Sequence, residues 1–141
     1  MKILVINGPN LNFLGIREKA VYGNQDYTYL VRTVEEAGAR LGHEVTVFQS
    51  NHEGAIIDRI QEAYDDGTEG IIINPGAYTH YSYAIRDALA SVEHIEKVEV
   101  HLSDITKREP FRALSVTAPV CSRQIFGKGI EGYVEALEFF S

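Results

Sequence analysis

The chain has 141 residues, 45% of them hydrophobic and 23% charged, with a formal net charge of -7 at pH 7. That length suits a single domain with a modest core. The acidic balance argues against general nucleic-acid binding, which needs a basic face, but allows a small anionic substrate held by a few arginines. Apolar runs and longer amphipathic stretches then alternate. Residues 3–6 (ILVI) read as a buried strand ended by Asn7-Gly8-Pro9. The next stretch, 11–26, is long for a strand-to-helix connection and reads as a lid or binding loop. Residues 27–41 have helical spacing and close with Gly42. Strands follow at 45–48, 71–73 and 98–102, with a weaker fifth at 114–118. Helices are expected at 54–64, at 79–92 with Thr79 as N-cap, and at 130–140. This alternation predicts an α/β fold with a parallel sheet, whose ligands sit beyond the carboxyl ends of the strands.

The lone cysteine, Cys121, excludes an intrachain disulfide and lies in an apolar stretch, where a buried small hydrophobe is the simpler reading than a nucleophile. A reducing cytoplasm is compatible with this, and a cytoplasmic location is the expectation. The first apolar run is too short for a signal peptide, and no run approaches a membrane span.

The loop after strand one has neither the dinucleotide fingerprint nor a P-loop lysine. The five histidines are scattered, without paired ligand spacing, and no nucleophile elbow is present. An acid–base site remains. Arg17 and Tyr22 fall in the expected lid. A tyrosine titrates near 10, so making it a phenolate at pH 7 costs about 4 kcal/mol, which a guanidinium could largely offset. Read alone, both are better taken as ordinary loop residues, because perturbed ionisation is not readable from sequence. His101 follows Glu99 by two, and strand alternation puts both on one face, where a carboxylate would orient the imidazole as a general acid. A structural histidine at a strand end fits the spacing equally well. His80, Ser82 and Asp87 fall near the start of the third helix, where capping alone would account for Ser82 and Asp87. Arg108 and Arg112 flank Glu109-Pro110-Phe111 and could hold a carboxylate or a hydroxyl, or be surface charge.

The runs NGPNLN (7–12), LGIRE (14–18), YG (22–23), QSNHEG (49–54), NPGAYTHYS (74–82), RDAL (86–89), VEVHLS (98–103) and REPFR (108–112) occur in this order. Together they resemble the type II 3-dehydroquinases, from strand one to the last helix. The resemblance implies a flavodoxin-like three-layer sandwich with a five-stranded parallel sheet, one catalytic domain over 1–141, and a lid at about 11–26. It implies an anti elimination of water from 3-dehydroquinate through an enolate, without cofactor or metal. It implies a homododecamer, a tetramer of trimers, and no nucleic-acid or membrane partner. Carried over by position, Tyr22 would be the base, Arg17 would lower its pKa, and Asn12 would help stabilise the enolate. His101 would protonate the departing hydroxyl, with Glu99 supporting it. Asn74 and the backbone of Leu102 and Ser103 would bind the substrate carboxylate, His80 and Arg112 would hold ring hydroxyls, and Asp87 would reach a neighbouring subunit's site. The resemblance implies a role in aromatic amino-acid biosynthesis, with quinate breakdown, which uses the same step, as the alternative. A flavodoxin-like binding module is the rival from another class. Asp104, Lys19, Ala113-Leu114 and Ser122-Arg123 depart from the usual pattern, and Asp104 would bring negative charge near an anionic substrate.

Overall fold

The structure, a computed structural model, describes residues 1–16 and 25–141. Five parallel strands form one sheet in the order β2-β1-β3-β4-β5: β1 (Lys2–Asn7), β2 (Glu44–Gln49), β3 (Gly70–Asn74), β4 (Glu96–His101) and β5 (Arg123–Phe126). The central strands are nearly continuous apolar runs because helices cover both of their faces. Ile3, Val5, Ile72, Val98 and Val100 point to one side, where α1 (Tyr27–Arg40) and α4 (Glu131–Phe139) pack on them. Leu4, Ile6, Ile71 and Ile73 point to the other, against α2 (Glu53–Ala63) and α3 (Tyr83–Ser91). The result is the expected three-layer flavodoxin-like sandwich.

Local signals explain the helix starts. Asp26 caps α1 by accepting from the Tyr29 N–H at 2.8 Å. Ser82 caps α3, accepting from the Ile85 N–H at 3.0 Å. The expected start at Thr79 is therefore corrected: Gly76–His80 forms a separate 3-10 turn, and the helix begins only after it. Glycine is required there, since Gly76 has φ 61°. Gly8 is required for another reason: a Cβ on it would lie 2.4 Å from the Pro75 carbonyl oxygen.

The expected fifth strand at 114–118 is also corrected. The strand is β5, and its Arg123-Gln124-Ile125-Phe126 sequence hides it, because an edge strand needs few apolar residues. Residues 115–117 instead cross the end of the sheet. The Val116 N–H donates to the Thr79 carbonyl at 2.8 Å, and Ser115 and Thr117 turn their hydroxyls onto Glu99. Those polar demands outweigh a weak strand pattern.

Candidate active site

The carboxyl ends of the strands lie level, since Asn7 pairs with both Gln49 and Asn74, and Ile73 with Glu99. The chain reverses direction across the sheet between β1 and β3, the switch point at which open α/β sheets bind ligands. A cavity of about 160 Å³ opens beside it. Pro9, Asn10, Leu11 and Leu14 contribute the β1 side, and Asn74, Gly76, Ala77 and His80 the β3 side. His101, Leu102 and Ser103 line it from β4, with Ile105, Arg108 and Arg112 beyond them. A second cavity, of about 320 Å³, shares Leu14, Leu102, Ser103 and Arg108 but contains no histidine. The smaller cavity is where acid–base side chains converge.

Behind His101 lies Glu99, fully buried. The His101 Nε2 stands 2.8 Å from Glu99 Oε2. A carboxylate only accepts, so Nε2 carries the hydrogen and Nδ1 is the nitrogen left for the cavity. Ser115 Oγ and Gln124 Nε2 donate to the same carboxylate oxygen at 2.8 and 2.9 Å, and Thr117 Oγ1 donates to the other. Burial pushes the Glu99 carboxyl up, but the bond and charge of His101, with the Thr117 and Gln124 donors, outweigh it and hold Glu99 below its ordinary 4.5. Glu99 is thus an anion that fixes one imidazole tautomer.

His80 donates from Nδ1 to the Leu114 carbonyl at 2.8 Å and packs edge-on against Phe111. Burial, chiefly, holds its pKa below 6.5, so a neutral ring presents Nε2 as an acceptor. The Arg112 Nε donates to Glu109 at 2.9 Å, and its guanidinium lies 4.8 Å from the Phe111 ring centre. That leaves its other nitrogens as donors at the cavity rim.

On the opposite face of the sheet the same level is held by uncharged groups. Tyr133 OH donates to Asn7 Oδ1 at 2.6 Å and accepts from Asn74 Nδ2 at 3.0 Å. The Asn7 Nδ2 donates to Tyr27 OH at 3.3 Å, and Asn74 Oδ1 accepts from the Gly76 N–H at 3.1 Å. Asn74 is therefore locked, with one amide hydrogen left for a ligand.

The fold thus gathers Asn74, His80, His101, Leu102, Ser103 and Arg112 around one cavity, with Glu99 behind it. Asn12 sits at the edge, in the turn Leu11–Phe13, where its Oδ1 accepts from Gln49 Nε2 at 3.3 Å. Asp87 is exposed on α3 and does not line this cavity. Arg17 and Tyr22, with the middle of the expected lid, lie outside the described residues. Asp104 caps the turn Ile105–Lys107, bonded to the Thr106 N–H and hydroxyl, and it lines only the second cavity. Sequence reading passed over Ser115, Thr117 and Gln124, because the first two sat in a presumed strand and the third in an unrecognised one. Arg108, noted with Arg112 as a candidate holder of a carboxylate or hydroxyl, lines both cavities. Among the described residues no group of three His, Cys, Asp or Glu side chains could hold a metal, and no helix is long and apolar enough to cross a membrane.

A buried Glu–His pair opens on the switch-point cavity of a flavodoxin-like sheet, an arrangement able to hold and deliver a proton to a bound ligand. The family model for dehydroquinase class II matches residues 1–141. A 3-dehydroquinate dehydratase of Lachnoclostridium phytofermentans is 67% identical over 138 residues, covering 98% of this chain and 94% of the relative. The crystal structure of the type II dehydroquinase of Butyrivibrio crossotus superposes with a TM-score of 0.97 at 66% identity, covering 99% of this chain and 96% of that one. The type II dehydroquinase of Propionibacterium acnes, at 41% identity, gives 0.94 over 99% and 94%. The chain belongs to the class II dehydroquinase family.

Proposed function

We propose that this chain removes water from 3-dehydroquinate to give 3-dehydroshikimate, the step that serves the shikimate route to aromatic amino acids, by an anti elimination through an enolate. The observation that carries the reading is the Glu99–His101 pair at the cavity, in a chain matched by the family along its whole length. The segment at about 11–26 acts as a lid on a single catalytic domain, 1–141. Tyr22, as a phenolate stabilised by Arg17, takes the proton next to the ketone, and the electron pair moves onto the carbonyl oxygen. Asn12 helps stabilise that oxyanion. When the carbonyl re-forms, the enolate's electron pair makes the new double bond between the α and β carbons, and the hydroxyl on the β carbon leaves as water with the proton from His101. Base and acid reset through solvent, so the balance closes without an external electron acceptor.

Asn74 and the Leu102-Ser103 backbone hold the substrate carboxylate. His80 accepts from a ring hydroxyl and Arg112 donates to one. The assembly is a homododecamer of four trimers in the cytoplasm, and Asp87 completes a neighbouring subunit's site. What supports this last point is exposure: Tyr81 and Tyr83, beside the α3 start, are 59% and 66% exposed, as Phe111 is at 56% and Leu114 at 63%. Such aromatic and apolar side chains are the kind an interface covers.

The test follows the ultraviolet absorbance of the conjugated enone formed from 3-dehydroquinate. Turnover should survive a chelator and borohydride pretreatment with ligand, and Tyr22→Phe should lower kcat by about a hundredfold or more while the fold persists. No product from a well-assembled sample would overturn the function. Turnover retained in Tyr22→Phe would overturn the assigned base.

A further inference from the structure

The Glu99 carboxylate is better furnished with donors than a partner for one histidine needs. Three neutral groups besides His101 reach it: Ser115 Oγ at 2.8 Å, Gln124 Nε2 at 2.9 Å and Thr117 Oγ1. They come from two segments distant in sequence from β4, and each is held in place. The Ala118 N–H donates to Ser115 Oγ at 2.9 Å, fixing that hydroxyl's lone pair away from Glu99 and its hydrogen toward it. The Val116 N–H is tied to the Thr79 carbonyl at 2.8 Å, and Arg86 Nη1 donates to the Val116 carbonyl at 3.3 Å. Gln124 belongs to β5, where Glu99 is its register partner. This is a rigid cradle built on both sides of a group that itself does not line the cavity.

We infer that Ser115, Thr117 and Gln124 are positioning residues for the elimination, acting on His101 through Glu99. The inference rests on the reading of His101 as the acid. A buried carboxylate paired with one imidazole alone can draw the proton between the two and turn with it. Neutral donors on both of its oxygens keep the charge on Glu99 whether His101 is cationic or neutral. They also stop the carboxylate from rotating. The imidazole therefore keeps its hydrogen on Nε2 throughout the cycle and presents Nδ1 to the departing hydroxyl each time. Thr117 is the clearest lever, because it alone among the three holds Oε1 and because valine matches its shape.

The experiment is a double-mutant cycle on kcat with 3-dehydroquinate, using Thr117→Val, Glu99→Gln and the pair, with Thr117→Ser as rescue and melting temperature as the check on folding. Thr117→Val should lower kcat about tenfold, the worth of one hydrogen bond to a charged group, with KM little changed. Thr117→Ser should restore most of it. In the Glu99→Gln background, Thr117→Val should cost nothing further, because the charge it serves is gone. A full tenfold loss in both backgrounds, or no loss in either, overturns the inference. If Glu99→Gln is itself silent, it is the assignment of the His101 acid that fails. If Glu99→Gln is costly and Thr117→Val is silent, only the cradle fails.

Discussion

Two buried polar networks stand at the same level of the sheet, on opposite faces, and they are built from different chemistry. On the α1/α4 face, Asn7, Asn74, Tyr27 and Tyr133 exchange hydrogen bonds between uncharged groups. On the α2/α3 face, Glu99 gathers His101, Ser115, Thr117 and Gln124 around one carboxylate. The neutral network clamps the ends of β1 and β3 to α4 at modest desolvation cost. The ionic one costs far more to bury, and each donor around it offsets part of that cost. A fold that only needed its strand ends tied would use the first solution twice. In the proposed reaction the charge stands beside the group that moves a proton, and the neutral network serves as scaffold.

The largest expected effect tests the machinery side. His101→Gln should lower kcat by about a thousandfold, within the usual worth of a general acid, while leaving the melting temperature within a few degrees. Steady-state kinetics beside a thermal melt would decide it, and a loss below tenfold would put the acid elsewhere. Glu99→Gln should act on both readouts. Its amide brings hydrogens against a ring of donors, so stability at pH 7 should fall by about 3 kcal/mol, and kcat by about thirtyfold. The stability loss should also depend on pH. The folded Glu99 pKa lies below the ordinary 4.5, so the unfolded chain takes up its proton first as the pH falls. The stability Glu99 contributes is complete above 4.5 and drains away as the pH drops through the lower folded value. Urea melts from pH 7 downward should therefore show the gap between wild type and Glu99→Gln narrowing below 4.5. A gap that widened on acidification would mean that Glu99 is buried as a neutral acid.

Much of this was legible in the sequence, and the failures have a common cause. Continuous apolar runs announced β1, β3 and β4, since strands covered on both faces have no polar alternation to blur them. Period-two spacing placed Glu99 and His101 on one face, and the structure brings them into contact. Turn-rich segments after β1, β3 and β4 marked the cavity walls. What failed were elements whose local pattern serves a tertiary purpose. Ser115-Val116-Thr117 alternates like a strand because alternate side chains reach Glu99 while the residue between is pinned to Thr79 and Arg86. Arg123-Gln124-Ile125-Phe126 hides its strand because one edge residue, Gln124, is spent on the same carboxylate. The helix after β3 starts later than its first threonine because Ser82, not Thr79, finds a free N–H to cap. In the first two cases the missing information was the position of a partner far away in the chain; in the third it was which of two nearby hydroxyls meets a free N–H.

The smallest expected effect tests the scaffold side. Tyr133→Phe removes one hydroxyl that is both donor to Asn7 and acceptor from Asn74. Asn7 and Asn74 are buried, so each is left with an unmet group, and stability should fall by about 2 kcal/mol. No charge is disturbed, and Glu99 and His101 are on the other face of the sheet. Turnover should therefore hold within about twofold, with any kinetic change confined to KM through a loosened Asn74. Urea unfolding and saturation kinetics on one preparation would read both quantities. If kcat fell in Tyr133→Phe as far as in Glu99→Gln, the neutral network would be part of the catalytic apparatus, and the division between the two faces would not hold.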